Sequence, residues 1–419
     1  MSKEASLRKF PYPFQAALTI STDNHANFPP EHFIDTHRLL NSEGDTPHGP
    51  GLGLEIADSF WFFSGNPSRT FTYFKGLSTE PSELAPLFRN YIGAGYIDTL
   101  HTYGDFSQPG VFYRPYAIQA VREMRDQNLN ISVWVNHGNK NNIQNLNKGI
   151  LHHQGANTES PGYHSDLTAS AGVKFYWTSQ LTKVVGQGRP ITLREYAKID
   201  WASPVYSGLR IARAYLRENV TCSSNRLLIP FELDDGRKVY TFHRFNNHDN
   251  IWRGVSSEDL DRQLSSTVLA QLVAQKGYMI VYNHLLDHFP FDGDDIEALR
   301  NLSKEFKAGS ILVATTSRLL WYYLVHCCVQ WDEERGSDET LRIRIRPVLV
   351  DDVLGEIELR ERDLMGLTFY VADTERIAFF LGANRIKNVA SNQPDETGRR
   401  SVSIPWQPLS FTPELYHRC

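Results

Sequence analysis

The sequence contains little cysteine and no long hydrophobic run. Its four cysteines, Cys222, Cys327, Cys328 and Cys419, show neither metal-ligand spacing nor a disulfide pattern, so we expect buried or incidental thiols. No apolar stretch reaches the roughly 18 residues that a membrane-spanning helix requires. The first residues, MSKEASLRKFPYPF, also lack the apolar segment of a secretory signal. We therefore expect no membrane span and a cytoplasmic location.

The sequence also lacks an excess of positive charge. The formal net charge is -5, and the two signs are mixed along the chain. Such a chain offers no basic field to a phosphate backbone, which argues against a nucleic-acid partner. Neutral or polyhydroxylated substrates, such as saccharides, fit this charge balance better.

The composition predicts a folded chain with two unequal domains. Hydrophobic residues make up 41% and charged residues 22% of the 419 residues, as in ordinary globular proteins. This length accommodates a barrel of ~250 residues or more and an accessory module. Apolar runs alternate with helical patterns, which favours an α/β fold with a parallel sheet or barrel. We predict strands at Ala16–Ser21, Ser59–Phe63, Tyr96–Leu100, Ile131–Val135, Met279–Tyr282 and Ile311–Ala314, and helices at Ser82–Tyr91, Tyr116–Asp126, Ser257–Gln275 and from Asp294 to Lys307.

Two segments differ in character from this alternation. Residues 138–188 are rich in Asn, His, Gly and Ser, which predicts long loops over one end of the barrel. Beyond Gln330, short alternating runs such as Leu341–Ile345, Leu367–Val371 and Ile377–Leu381 are separated by turn residues. We therefore predict a (β/α) barrel over residues 1–334 and a β-sandwich-like module over residues 335–419.

Polar residues follow several of the predicted strands. In a parallel barrel, functional groups lie at the carboxyl ends of the strands, so residues from different strands meet there. An aspartate after a strand is by itself usually a turn former, and a single histidine is usually a satisfied polar residue. Their coincidence at successive strand ends makes the set a candidate site. Its members are Asp23, Asn24, His25, Asp58, His101, Tyr103, Asp105, His137, Asn139 and His284.

Three of these segments resemble motifs of the polysaccharide deacetylase superfamily, carbohydrate esterase family 4. Residues 17–24, ALTISTDN, are similar to its first motif, in which an apolar strand delivers two adjacent aspartates. Residues 101–105, HTYGD, resemble its second motif, a His-Ser/Thr-x-x-His ligand pair. Residues 280–284, IVYNH, resemble the late strand that carries its catalytic histidine. The resemblance covers roughly residues 10–325 and implies a distorted (β/α)7-type barrel.

The resemblance also implies an activity, the removal of acetyl groups from N- or O-acetylated saccharides with one divalent metal ion. Asp23 would be the general base, His284 the acid that protonates the leaving group, and His101 a metal ligand. Asn24 and Asp105 occupy positions where the family has an aspartate and a histidine ligand. An Asn carbonyl is a weak neutral ligand and an Asp a hard one, so the ligand set would be harder and less selective for zinc, which favours Mn or Mg, while Zn and Co also remain open.

Several alternatives remain open at this point. His25, Asp58 and His137 adjoin predicted strand ends and could replace the altered ligands, and Tyr103 and Asn139 could contact substrate. The family's third motif, an Arg-Pro-type segment that would tune the base, has no clear counterpart. A metal-free glycosidase that uses Asp23 with Asp58 or Asp105 is one alternative, because paired carboxylates perform that chemistry. The other is a carbohydrate-binding relic that has lost its metal.

Overall fold

The computed structural model describes residues 4–25, 27–106, 111–137, 142–192, 195, 225–247 and 260–416. Helices in this part of the chain span Pro30–Asn41, Ala85–Ala94, Arg114–Asp126, Ser165–Ser170, Leu260–Gln263, Ser266–Ala274, Leu285–His288, Gly293–Lys307 and Thr316–Cys328, with 3₁₀ turns at Glu361–Leu364 and Pro413–Leu415. Within the described residues, no helix combines the length and apolar character needed to cross a membrane.

The strands fall into a first group before the helix Thr316–Cys328 and a second group after it. The first group is β1 (Ser6–Leu7), β2 (Ala16–Thr22), β3 (Asp45–Thr46), β4 (Gly49–Pro50), β5 (Asp58–Phe60), β6 (Phe63–Ser64), β7 (Ile97–His101), β8 (Gly104–Asp105), β9 (Val133–Val135), β10 (Phe175–Trp177), β11 (Leu181–Thr182), β12 (Ile229–Glu232), β13 (Lys238–Thr241), β14 (Arg244–Phe245), β15 (Tyr278–Asn283) and β16 (Ile311–Val313). The second group is β17 (Trp331–Arg335), β18 (Leu341–Ile345), β19 (Val348–Asp351), β20 (Gly355–Glu358), β21 (Thr368–Tyr370), β22 (Ile377–Leu381), β23 (Asn384–Arg385), β24 (Ala390–Asn392) and β25 (Ser401–Ser403).

Two largely parallel sheets form the larger part of the molecule. One has the order β12-β13-β10-β9-β7-β5 and the other the order β11-β14-β15-β2-β16. The chain passes directly between them, because only Phe242 and His243 separate β13 from β14. On the other side β5 approaches β2, where the Asn24 backbone N–H donates to Ser59 Oγ at 2.9 Å. The ladders of the described strands do not close into a continuous barrel, so the distorted (β/α)7 barrel remains a prediction.

The strands β2, β7, β9, β10, β15 and β16 are buried along their whole length, as expected for parallel strands that are covered on each side. One face points into a shared core, which contains residues from β2, β9, β10, β15 and β16: Ala17, Val133, Phe175, Ile280 and Leu312. Leu18 and Val281, on the opposite face, pack in a second cluster with the helix Gly293–Lys307. Strands of both sheets therefore share one inner face, and their carboxyl ends lie at the same edge of that face.

Three details differ from the predicted elements. The predicted loop segment contains β10, which lies inside the six-stranded sheet, because its three residues are too short to show a period. The predicted helix over 257–275 is interrupted before Ser265, whose Oγ accepts from the Val268 N–H and caps a new helix. Its first residues lie outside the described part of the chain. The helix Gly293–Lys307 is capped by Asp292 rather than by Asp294.

The second group of strands, together with β1, forms two facing four-stranded sheets, with the orders β17-β18-β22-β23 and β1-β21-β25-β24, and β19 and β20 form a separate two-stranded sheet. Phe369 of one sheet contacts Trp331 and Phe379 of the other, with ring centroids 5.0 and 5.3 Å apart. This is the layering of a β-sandwich. The strand Trp331–Arg335 begins before the predicted boundary at 335, and Ser6–Leu7 from the N-terminal region pairs with β21.

Candidate functional site

The parallel register brings four of the predicted site residues to one edge of the sheets. Thr22 of β2 pairs with Asn283 of β15, so the next residues along the two strands, Asp23 and His284, lie side by side. His101, the last residue of β7, pairs with Val135 of β9, and His137 follows shortly after β9. Each side chain is therefore positioned by the end of a different buried strand.

Asp23 forms a two-point ion pair with Arg244, the first residue of β14. Its Oδ1 and Oδ2 accept from Arg244 Nη2 and Nη1 at 2.9 and 3.0 Å, and the side chains are 3% and 0% exposed. The guanidinium stacks on Trp177 at 3.9 Å and Tyr282 at 4.7 Å. Burial opposes ionisation of Asp23, but Arg244 and then His101 outweigh it and hold the pKa of this carboxyl far below its usual range. Asp23 is therefore a fixed carboxylate.

Sequence reasoning missed Arg244. Its strand, β14, has only two residues, so no apolar run marks it. The available signal was the arginine itself between His243 and Phe245, directly after the apolar residues of β13. An arginine that is fully buried requires a carboxylate partner, but the sequence does not reveal which residues are buried.

His101 and His137 meet next to this carboxylate. His101 Nε2 lies 3.4 Å from His137 Nδ1 and 3.9 Å from Asp23 Oδ2. His101 Nδ1 lies 3.2 Å from the backbone oxygen of Asn24, which can only accept, so Nδ1 carries the proton and Nε2 presents a lone pair. Burial lowers the pKa of His101 to about 3 and moves the pKa of His137 well below its usual value. Both rings are therefore neutral near pH 7, the form that binds metals.

His25 completes a group of three histidines. The nearest ring nitrogens of His25, His101 and His137 all lie within 4.8 Å of one another. Two ligands at tetrahedral zinc, with bonds of about 2.0–2.1 Å, are separated by about 3.3–3.4 Å, close to the 3.4 Å between the His101 and His137 nitrogens. Three histidines with an open fourth position are also a known catalytic zinc set. The donor chemistry and spacing of these residues thus fit a divalent metal ion.

His284 and His25 form the more open side of the cluster. Their side chains are 15% and 23% exposed, whereas that of His101 is 2% exposed. His284 Nε2 lies 3.9 Å from Asp23 Oδ2 and 3.2 Å from the Tyr282 hydroxyl. Burial lowers the pKa of His284 to about 4, and Asp23 opposes this shift. A substrate that enters from solvent would meet His284 and His25 first.

The remaining predicted residues lie around this cluster. Asp105 Oδ2 lies 3.4 Å from Arg69 Nη1. Among the described residues, Asp105 does not belong to any group of three side chains whose metal-binding atoms all lie within 4.8 Å of one another. Asp58 Oδ2 lies 3.7 Å from His37 Nε2, and burial raises its pKa. Asn24 contributes its backbone to the site through Ser59 and His101.

Tyr103 and Asn139 complete the set of predicted residues. Tyr103 is buried, and its hydroxyl shares a 2.8 Å hydrogen bond with Thr168 Oγ1 in the helix Ser165–Ser170. Burial raises the pKa of this hydroxyl above its usual value. Tyr103 thus supports this helix. Asn139 lies outside the described residues.

Trp61 is a second residue that sequence reasoning missed. Its ring stacks on His101, with centroids 5.4 Å apart, and meets His137 edge-on at 5.2 Å. Arg69 lies over the same indole at 5.2 Å. Trp61 directly follows β5 and lies in the middle of the apolar run Ser59–Phe63, which predicted only a strand. It therefore forms an apolar wall that fixes two imidazole rings.

Comparisons of the chain with family models, with curated proteins and with solved structures found no match. The interpretation of the site therefore depends on its own residues and on the sequence motifs. Together these residues offer a set of metal donors, an ionised carboxylate held by an arginine, and a partly exposed histidine next to that carboxylate.

Proposed function

We propose that the chain is a divalent-metal-dependent hydrolase of the polysaccharide-deacetylase type, which removes an acetyl group from an N- or O-acetylated saccharide. The observation that carries this proposal is the position of Asp23 between two imidazoles. Its Oδ2 lies 3.9 Å from His101 Nε2, in the three-histidine group, and 3.9 Å from His284 Nε2 on the open side. Metal-dependent hydrolysis uses this order of groups: a metal position, a base and an acid.

His25, His101 and His137 would hold the ion, and their nitrogen donors favour zinc or cobalt over magnesium. A bound divalent ion would acidify a water ligand, so that even a weak carboxylate base suffices, and would polarise the acetyl carbonyl. The hard ligand set expected from Asp105 and Asn24 is thereby replaced by a nitrogen-rich one.

Arg244 fixes Asp23 in one orientation and keeps it ionised. A carboxylate oxygen has lone pairs for more than one donor, so Oδ2 can accept a proton while it remains bonded to Arg244. Removing a proton from a nucleophile is therefore assigned to Asp23. The burial of Arg244 between Trp177 and Tyr282 prevents the carboxylate from turning away.

His284 is placed to deliver a proton to the leaving group. Because the pKa of His284 is about 4, its ring is neutral near pH 7, and the proton that it delivers is the one that Asp23, 3.9 Å away, removes from the nucleophile. Asp23 and Asp287, with Oδ2 atoms 3.9 and 3.8 Å from its ring nitrogens, stabilise the protonated ring while the transfer takes place. The acetylated sugar would accept this proton on its departing nitrogen or oxygen.

A glycosidase mechanism receives less support from the same residues. It requires one protonated carboxyl group and a second carboxylate across the scissile bond. Asp23 is held ionised by Arg244, and Asp105 and Asp58 face Arg69 and His37. The histidine-rich site is better suited to metal-dependent hydrolysis.

The test is elemental analysis of purified protein loaded with Zn, Mn, Co or Mg, combined with acetate release from acetylated chito-oligosaccharides. We expect close to one tightly bound ion in the wild type, its loss in His101→Ala, and acetate release only with the ion. His152→Ala, which removes an exposed imidazole in a loop, is the control and should retain both properties. A folded wild type that binds none of these ions would refute the proposal.

A further inference from the structure

A second group of donor atoms lies beside the three histidines and shares His25 with them. Donor atoms of His25, His284 and Asp287 all lie within 4.8 Å of one another. Asp287 Oδ2 is 3.4 Å from His25 Nδ1 and 3.8 Å from His284 Nδ1. These separations are close to the roughly 3.3–3.4 Å expected between neighbouring ligands of one tetrahedral ion.

The local fold explains why these residues meet. His284 immediately precedes the short helix Leu285–His288, and Asp287 comes three residues later, so the two side chains share one face. The end of β2 carries His25 to the same place, with its ring centroid 4.5 Å from that of His284. An imidazole has two nitrogens, so a bond through Nδ1 of His25 leaves its Nε2 available to the first group.

The surroundings of this second group attract cations. His284 and Asp287 line a cavity of about 600 Å³, and its other lining residues are His288, Asp261, Asp292, Asp294 and Asp295. A concave surface lined by one sign of charge raises the local concentration of counter-ions. The Asp287 side chain is 36% exposed, so an ion can reach it from solvent without opening the core.

We propose that His25, His284 and Asp287 form a second, weaker divalent-cation position whose occupation inhibits the enzyme. This inference rests on the proposed function, in which His284 donates a proton. The acidic form of His284 carries a proton on both ring nitrogens. An ion bound to Nδ1, the nitrogen that faces Asp287, occupies one of the two lone pairs, so the acidic form cannot arise while the ion is bound. Excess metal should therefore activate the enzyme through the first group and inhibit it through the second.

The test uses Zn²⁺ as the probe and measures bound ions by equilibrium dialysis and elemental analysis, in parallel with acetate release. In the wild type we expect a second, weaker ion and a fall in activity over the same range of free Zn²⁺. In Asp287→Asn we expect the first ion to be kept. The second should bind at least about tenfold more weakly, since loss of even an outer partner commonly costs about 10–100-fold in metal affinity.

Asp294→Asn is the matched control, because it removes the same charge from the same cavity without belonging to the donor group. It should keep the second ion and the inhibition. Equal binding of the second ion by Asp287→Asn and the wild type would overturn the inference while leaving the proposed function intact. A wild type that binds two ions, one of them dependent on Asp287, but releases no acetate would support the second position and refute the proposed function.

Discussion

Two buried arginine–aspartate pairs have different roles in this molecule. Arg244 and Asp23 lie among the histidines of the candidate site, whereas Arg8 and Asp395 join the N-terminal segment to the C-terminal sheets. In each pair both side chains are at most 4% exposed. In each, the pKa of the aspartate is held far below its usual range, although burial opposes the shift.

The difference between the pairs lies in what surrounds them. The guanidinium of Arg8 donates to the backbone oxygens of residues 10, 11, 13 and 14, and Asp395 accepts from Thr397 and Tyr370. Arg244 instead stacks on two aromatic rings, and its Nε has no hydrogen-bond partner among the residues that the structure describes. Asp23 faces two imidazoles. A pair bonded on all sides stabilises the fold, whereas a pair that faces titratable groups can take part in chemistry.

The largest expected effect follows from exchanging each aspartate for asparagine. Asp23→Asn should lower the rate of acetate release per folded molecule by about 10²–10⁴-fold, the usual contribution of a general base. Asp395→Asn removes the same charge from the other pair and should leave that rate within a factor of a few. The measurement is kcat, normalised to the folded fraction from circular dichroism. Comparable loss in both variants would show that the two pairs do not differ in function.

The next effect concerns stability. Arg8→Met should lower the free energy of unfolding by about 3 kcal/mol near neutral pH, because it leaves a buried carboxylate without its cation. The folded-state pKa of Asp395 lies below its unfolded value of about 3.9, so its contribution is present above that pH and is lost as the pH falls through the folded value. The difference between Arg8→Met and the wild type should therefore shrink below about pH 4.

Urea denaturation of both proteins at several pH values measures this difference. Lys9→Met is a control, since it removes a neighbouring cation that lies outside the pair. A gap between Arg8→Met and the wild type that stays constant from pH 7 to about pH 3 would mean that Asp395 is not the source of the stability.

Sequence patterns located much of this architecture but not the contacts between its parts. The buried strands β2, β7 and β15 lie close to their predicted positions, because short, largely apolar runs that end in polar residues are typical of covered parallel strands. The convergence of Asp23, His101, His137 and His284 followed from the rule that such strands end at a common edge. The barrel itself and the roles of these residues remain predictions.

The features that the sequence did not reveal depend on contacts between segments that are distant along the chain. Arg244 lies far along the chain from Asp23, and its two-residue strand carries no periodic signal. Trp61 was part of an apolar run, and only packing shows that its ring meets two imidazoles. Asp105 has the position of a metal ligand in the motif, yet its carboxylate faces Arg69. Charge partners that come from distant segments cannot be assigned from local spacing.

Asp105 and Arg69 form a third pair, which lies at the edge of the site and gives the smallest expected effect. Arg69 is 25% exposed, and its nitrogen lies 3.4 Å from the carboxylate, longer than in either buried pair. If His25, His101 and His137 hold the ion, Asp105→Asn should change the affinity for Zn²⁺ by less than about tenfold, whereas removal of a ligand in His137→Ala should cost far more. Competition with a chromogenic chelator measures both affinities. A loss in Asp105→Asn as large as that in His137→Ala would place the ion on the motif residues, and the three-histidine group would then not be the metal site.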